Sequence, residues 1–461
     1  MTTQNFDCVV IGGGPGGYVA AIKASRSGLK TALVEYDLAG GTCLNRGCIP
    51  SKALLAGASV LNAIKNASSF GIKVSDFSVD FPSMMQRKNA VVSGIRTGLE
   101  GLIKSNKISS FRGKGKLLSS TEVKVLGEEN VVLKTRSIIL ATGSEPRPFP
   151  GVPFGKRICS STDILELQEI PESLLIVGGG VIGCEFASLF NTLGTKVTIV
   201  EAADRILAID NKEISKFITD VFVKKGIQVI TSASVSNLEE TPSSVKVTLS
   251  DGSSLEHSLA LVSIGRLLNT QNLDLDKAGV ICEKGVIPTD AHMRTNVPNI
   301  FAIGDITAKW MLAHVASHQG IIAAENAAGK NTIMDYSAIP SVIFTSPEVA
   351  SVGLSLEQAQ SQGFSAKLTT FPFRAIGKAV AMIDADGFAS IVSDTETGQV
   401  LGAYIVGPHA SSLIGEMALA IRNELTLSCI YETVHAHPTL SEIWMEAALL
   451  ADGDPLHMPP K

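Results

Sequence analysis

Hydrophobic and polar positions along the chain repeat one pattern. A β-branched run leads into a glycine cluster, an apolar helical stretch and a second strand that closes on an acid, in FDCVVIGGGPGGYVAAIKASRSGLKTALVEY. The same order recurs in SLLIVGGGVIGCEFASLFNTLGTKVTIVEA. Gly12, Gly14, Gly17 and Glu35 of the first segment match Gly178, Gly180, Gly183 and Glu201 of the second, each displaced by 166 positions, so one fold unit occurs twice. Each copy places G-x-G-x-x-G between a predicted strand and a predicted helix, with the acid 18 residues after the last glycine. A dinucleotide-binding turn needs that context: the first glycine makes the tight turn, the second lets backbone approach a pyrophosphate, and the third lets helix pack on strand. The helix N-terminus then holds the phosphate charge. Two glycine turns made for local reasons alone would leave the repeated strand, helix and acid without a cause.

Between the copies the pattern predicts a helical stretch from Lys52 to about Lys107, then short strands ending in SIILATGSEPRPFPG. The proline-rich segment from Pro146 to Pro153 has the composition of a linker. After the second copy, short alternating strands run to LALVSIGR, and another strand leads into NIFAIGDIT. From about Tyr336 the pattern changes to alternating strands and two helical stretches with no further phosphate loop. The predicted class is α/β, with two Rossmann-like dinucleotide-binding domains and a C-terminal α+β domain. The boundaries expected are 1–145 for the first domain, 146–266 for the second, 267–335 for a return to the first, and 336–461 for the third.

Length agrees, since 461 residues at roughly 150 per domain make about three domains. With 45% hydrophobic and 18% charged residues, the chain can fill several cores and is too apolar for a disordered one. A net charge of -5 gives no strong field, which disfavours nucleic-acid and acidic-membrane partners. MTTQNFDCVVIGGG has no basic stretch before its first strand, so no signal or transit peptide is expected. The strongest apolar run, Leu174 to Cys184, is short and carries four glycines, so no membrane span is expected either. Seven cysteines is an odd count, and five of them (Cys8, Cys159, Cys184, Cys282, Cys429) have no partner at a telling spacing. A reducing, cytoplasmic location follows.

The other two cysteines stand apart. In GGTCLNRGCIPSK, Cys43 and Cys48 are separated by four residues. On a regular helix they would point about 140° apart, too far for a disulfide. Gly40, Gly41 and Gly47 suggest a loop and a distorted first turn that would let them close. Three roles remain in view. A structural staple over so short a loop contributes only roughly 2 kcal/mol, which a chain with full cores hardly needs. A thiolate zinc site wants closer cysteines and further ligands nearby. An exchangeable disulfide fits best.

GGTCLNRGCIPSK, the double fingerprint, ATGS, FAIGDIT and HAHPTLSE follow one another from residue 6 to about residue 445. Together they resemble the pyridine-nucleotide disulfide oxidoreductases, and within them the branch that oxidises dihydrolipoamide. The resemblance implies that the first fingerprint binds FAD, with Gly12, Gly14 and Gly17 on its pyrophosphate and Glu35 on the adenosine ribose. It adds Lys52, Gly115, Thr142, Gly143, Asp305 and Ala313 to that site, Asp305 on the ribityl chain, although a strand-end cap is the simpler role for Asp305. The second fingerprint would take NAD through Gly178, Gly180, Gly183, Glu185, Glu201 and Gly265. Glu201 can accept ribose hydroxyls and would repel a 2′-phosphate, favouring NAD over NADP, with Arg205 close by as the one contrary signal. Glu185 resembles the glutamate that pairs with Lys52 beside the flavin; an exposed glutamate near a helix N-terminus is the plainer alternative.

Catalysis, by the same resemblance, falls to Cys43, Cys48, His437 and Glu442. His437 would deprotonate a dihydrolipoyl thiol that attacks Cys43, and Cys48 would pass the electron pair to FAD and so to NAD. Glu442 would orient His437, although Thr439 to Glu442 is also a capping-box spacing. His435 is assigned a structural role. The implied partners are a second copy of the chain, lending its His437 across a homodimer, and either lipoyl domains with the acyltransferase core of a 2-oxoacid dehydrogenase complex or the glycine cleavage H protein. No metal, nucleic acid or membrane is implied. Leu268, Val315 and His318 depart from the family pattern. Mercuric reductase is disfavoured because DGDPLHMPPK has no cysteine pair, and glutathione reductase because of Glu201. A non-catalytic docking flavoprotein is disfavoured by the intact cysteines and His437.

Overall fold

The protein's structure, a computed structural model, describes residues 2–127, 130–208 and 211–459. Strand Cys8–Ile11 is apolar at every position and fully buried, the composition of a parallel strand covered on both faces. It pairs in parallel with Thr31–Glu35 on one side and Ser137–Leu140 on the other. Ile300–Ala302 extends the same eight-stranded sheet beside Ser137–Leu140, so the chain returns to its first unit after completing the second. Helices Pro15–Arg26 and Ala313–Ala327 lie together through small residues. A Cβ on Gly320 would stand 2.5 Å from the Gly16 carbonyl, so that close approach excludes side chains there.

The second unit is a five-stranded parallel sheet centred on Ser173–Val177, flanked by Lys196–Val200 and Leu259–Val262. The chain enters and leaves it through an antiparallel ribbon in which Ser144–Pro146 pairs with Arg266–Leu268. The proline-rich linker therefore begins inside paired structure, because its partner strand lies far along the chain. The third unit is a five-stranded antiparallel sheet, with Val400–Gly407 buried along its whole length. Helix Glu442–Asp452 packs on the edge of this sheet and buries Trp444, whose indole N–H donates to the Leu413 carbonyl at 3.0 Å.

Two expectations change. The helical stretch from Lys52 to Lys107 is two helices, Cys48–Lys65 and Phe81–Ser105, with a short 3-10 turn and an extended segment between them. The second helix begins at Asp80, whose side chain accepts from the Ser83 amide at 3.0 Å, with Pro82 in the first turn. The polar segment Thr2–Asn5 is also a strand, exposed throughout, on the edge beside Val131–Lys134. Gly41–Lys65 is long and apolar enough to cross a membrane by length and composition alone. Its residues Thr42, Cys43, Cys48, Ser51 and Lys52 form part of a cavity wall.

Candidate active site

That cavity, of about 1870 Å³, is the centre of the site. Gly12, Gly14, Glu35, Cys43, Cys48, Lys52, Gly115, Thr142, Gly143, Glu185, Asp305 and Ala313 all line it. Gly17 sits behind the turn, where its Cβ would fall 1.8 Å from the Gly12 carbonyl. The structure thus gathers residues from across more than half the chain around one space.

Both fingerprints have the same local geometry. Gly12 and Gly178 take φ of 105° and 102°, and a Cβ on them would meet the carbonyls of Ala141 at 2.2 Å and Ser263 at 2.6 Å. Gly183, like Gly17, leaves no room, at 2.2 Å from the Gly178 carbonyl. Gly14 and Gly180 differ: a Cβ on Gly14 would meet only the Gly41 Cα at 4.0 Å, and one on Gly180 nothing within 4 Å. No protein contact requires glycine at either position. Each caps the N-terminus of a 12-residue helix, where open backbone suits a phosphate group. The turns therefore fit dinucleotides on their outer faces.

The strand-end acids do more than sequence showed. Glu35 accepts from the Gly13 amide at 2.6 Å and the Asp37 amide at 2.8 Å. Glu201 accepts from the Gly179 amide at 2.7 Å and the Ala203 amide at 2.7 Å. Each carboxylate fixes the middle residue of its own turn, so Gly13 and Gly179 belong to the cradles. Burial raises the Glu35 carboxyl above its ordinary value against those amide bonds. Arg205 is engaged through its two terminal nitrogens by Asp204 at 3.0 Å and by the Ala208 carbonyl at 2.9 Å, while its Nε is buried without a hydrogen-bond partner. Gly178, Gly180, Gly183, Glu201 and Gly265 do not line the large cavity; Gly265 sits at φ 113°, its carbonyl accepting from the Arg147 amide at 3.1 Å.

Cys43 lies in the short helix Gly41–Arg46 and Cys48 opens the helix Cys48–Lys65, with the chain broken at Gly47 between them. A Cβ on Gly47 would come within 3.3 Å of the Cys43 Cα, so glycine lets the two turns fold together. The neighbouring Cys43 thiol lowers the Cys48 thiol to about 7, against the pull of burial and with help from Lys52. The same contact and burial push the Cys43 thiol up. Cys48 also sits at the positive end of an 18-residue helix, a further support for a thiolate. Lys52, one turn on, makes both expected bonds to Glu185, at 3.0 and 2.8 Å. Its ammonium stands 4.2 Å from the Phe344 ring centroid, and Glu185 also accepts from the Phe344 amide at 3.0 Å. Glu185 belongs to the cysteine side of the site, although it lies in the second fingerprint's helix.

Asp305 stands in a 3-10 turn after its strand and caps no helix by its side chain. The Ser144 hydroxyl donates to it, and Arg266 donates to Ser144 Oγ at 2.6 Å and to the Ser144 carbonyl at 2.7 Å. Ser144 and Arg266 were not singled out by sequence, because they meet only through the inter-domain ribbon. Of the three departures from pattern, Leu268 lines the cavity, while Val315 is buried and His318 exposed outside it.

His437 Nδ1 lies 2.8 Å from Glu442, whose other oxygen accepts from the Thr439 amide at 2.9 Å. One carboxylate thus orients the imidazole and ties down the turn before the helix; the helix N-cap is Ser441, with no side-chain cap, so Thr439 and Glu442 form no capping box. Burial pulls the Glu442 carboxyl upward, but the bonds from His437 and Thr439 outweigh it and hold the group below its ordinary value. The His437 side chain is 77% exposed, and neither His437 nor Glu442 lines the large cavity. The His435 side chain is shielded instead, at 5% exposure, between the Thr433 carbonyl and Glu416, both at 2.8 Å. Among the described residues, no group of three or more His, Cys, Asp or Glu could hold a metal ion.

Two nucleotide cradles, one with a thiol pair in its wall, define a nucleotide-linked dithiol oxidoreductase. Residues 6–320 match the model of the pyridine nucleotide-disulphide oxidoreductase family, and residues 339–448 match that family's dimerisation domain. A dihydrolipoyl dehydrogenase of Chlamydia pneumoniae is 65% identical over 100% of both chains, and one of Bacillus subtilis is 43% identical over 99% of this chain and 100% of its own. Among solved structures, LpdA of Mycobacterium tuberculosis superposes with a TM-score of 0.91 at 29% identity, covering 98% of this chain and 100% of its own. The HOCl-induced flavoprotein disulfide reductase RclA of Escherichia coli gives 0.87 at 28% identity, covering 97% and 99%. The chain belongs to the pyridine nucleotide-disulphide oxidoreductases, among the dihydrolipoyl dehydrogenases.

Proposed function

We propose that the protein reoxidises protein-bound dihydrolipoamide to lipoamide and reduces NAD+ to NADH, with FAD in the large cavity and NAD on the second fingerprint. The observation that carries this reading is the Cys43 and Cys48 pair set in the wall of the cavity that the first fingerprint bounds. His437 Nε2 removes a proton from one substrate thiol, and Glu442 at Nδ1 supports the resulting imidazolium. The substrate thiolate attacks Cys43 Sγ, forming a mixed disulfide and breaking the Cys43 to Cys48 bond. Cys48 leaves as a thiolate, supported by Lys52 and the helix N-terminus while Cys43 is in the mixed disulfide, and by the Cys43 thiol once that is free again. The second substrate thiol then closes the lipoyl disulfide: the imidazolium of His437 gives its proton to the departing Cys43 thiolate and takes up the proton of this second thiol. FAD, held in the cavity by the Gly12 to Gly17 turn, Glu35 and Asp305, would supply the two-electron acceptor between the reduced Cys43 and Cys48 pair and NAD+. Lys52, paired with Glu185, holds positive charge beside Cys48 throughout.

In this reading the chain works as a cytoplasmic homodimer, its partners being lipoyl domains and the acyltransferase core of a 2-oxoacid dehydrogenase complex, or the glycine cleavage H protein. Anaerobic titration with dihydrolipoamide tests it. A long-wavelength charge-transfer band that bleaches as NADH forms on adding NAD+ is the expected outcome. A flavin spectrum unchanged by dihydrolipoamide but reduced by NADPH would overturn the substrate assignment.

A further inference from the structure

The helix that presents Glu442 carries a second acid with its own histidine. Glu446 lies one turn beyond Glu442, its side chain only 3% exposed. Its Oε1 is 2.6 Å from His457 Nδ1, while its Oε2 is buried with no hydrogen-bond partner. The chain reaches this position because Gly453, in the left-handed region at φ 97°, ends the helix and turns the tail back. Met458 then packs against the C-terminal core, leaving the His457 ring over the buried acid. A buried carboxylate with one oxygen unpaired persists only while a neighbour compensates its charge. His457 is that neighbour. Its ring is raised above the ordinary imidazole value by the hydrogen bond and charge of Glu446, with Glu442 adding to the same effect.

We infer that Glu446 and His457 are a positioning dyad for the base: His457, protonated, cancels Glu446, so that His437 faces the net charge of one carboxylate and not two. This rests on His437 being the base. The charged groups around the dyad are Glu442 and Glu446 on the helix, His437 and His435 on the preceding loop, and Glu416, which holds His435. Asp452, at the far end of the helix, is taken by the Tyr431 hydroxyl at 3.2 Å, which Glu432 and Asp454 also face. Without His457, an uncompensated carboxylate stands one turn from Glu442. Added negative charge favours the protonated form of His437, so a higher pH is needed to free the base.

The test compares kcat/KM against pH, with dihydrolipoamide and NAD+, for the parent, His457→Asn and His457→Asn with Glu446→Gln. For an uncompensated charge one helical turn from Glu442 in a partly solvated setting, the acid limb should move up by roughly half a pH unit in His457→Asn, lowering the rate about threefold below the limb. The double variant should restore the parent profile. A His457→Asn enzyme with lowered thermal stability but the parent's acid limb would overturn the inference and leave a mere tail clamp. His457→Asn that does not fold leaves a second reading in the parent: by NMR the His457 ring should titrate above the ordinary imidazole value, and titration at or below it overturns the dyad. His437→Gln is the separate control. If it kept the parent's activity and profile, the base reading would fall, and the dyad's role with it; if it lost activity while His457→Asn left the limb in place, only the dyad would fall.

Discussion

Replacing Cys43 by alanine removes the largest influence on Cys48. The Cys43 thiol is the first cause that lowers Cys48 from its ordinary 9.0 to about 7, with Lys52 the smaller helper and burial the opposing effect. Without Cys43, burial is the largest remaining influence, ahead of Lys52, and the Cys48 thiol should return at least to its ordinary 9.0. At pH 7 its thiolate fraction would fall from about one half to about 1%, roughly 50-fold. A more basic thiolate is also a better nucleophile, by roughly eightfold over two units, so the alkylation rate at that pH should drop only about sixfold. The midpoint of the pH profile is therefore the decisive readout. Iodoacetamide trapping of anaerobically reduced enzyme, with the Cys48 peptide quantified by mass spectrometry, measures it directly. A Cys43→Ala midpoint still near 7 would refute the reasoning. It would mean that the helix N-terminus and Lys52 hold the thiolate and that the Cys43 thiol is dispensable for it.

Three further outcomes are expected. Gly17→Ala, whose Cβ would fall 1.8 Å from the Gly12 carbonyl, should lose both flavin and thermal stability, whereas Gly14→Ala, with space around it, should keep the stability of the flavin-free protein and lose flavin affinity; flavin content and apoprotein melting separate the two. Glu442→Gln removes the negative charge that faces His437 Nδ1 and supports the imidazolium, and should lower kcat/KM by about 100-fold with little loss of flavin, as steady-state assays would show. The Glu446 to His457 pair raises the histidine in the folded chain, so its contribution to stability is complete below the unfolded value and lost as pH rises through the folded one. The melting difference between parent and His457→Asn should accordingly shrink as pH increases.

Sequence exposed the parts of this site whose chemistry is local. Each fingerprint is a strand, turn and helix within some 30 residues, and the glycines that the turn geometry demands stand where the spacing put them. The cysteine pair was legible for the same reason, since Gly47 alone breaks the helix between Cys43 and Cys48. Ser144, Arg266 and Phe344 were not, because each reaches the cavity through pairing with a distant segment. Gly13 and Gly179 escaped for a subtler reason: their amides are fixed by acids 22 positions on, and an amide donor leaves no mark on residue type. The break before Phe81 was written in Asp80 and Pro82, but the apolar periodicity on either side masked it.

The position of His437 has a further consequence. A general base must come within about 3 Å of the proton it removes, directly or through one water. His437 is exposed on the third unit and does not line the cavity that holds Cys43, so one chain does not bring the two together at that cavity. A base supplied by a second copy satisfies both facts, and the matched dimerisation domain carries His437. Chains bearing Cys43→Ser and chains bearing His437→Gln should each form nearly inactive homodimers. A mixed dimer differs: if the base acts across the interface, one of its two sites joins an intact Cys43 to an intact His437, while the other has lost both. If the base acts within its own chain, neither site is intact. Random pairing of equal amounts makes half the dimers mixed, so co-refolding should recover about a quarter of parent activity in the first case and almost none in the second. Recovery indistinguishable from the two single variants would place His437 in its own chain's site, and the shared active site would have to be abandoned.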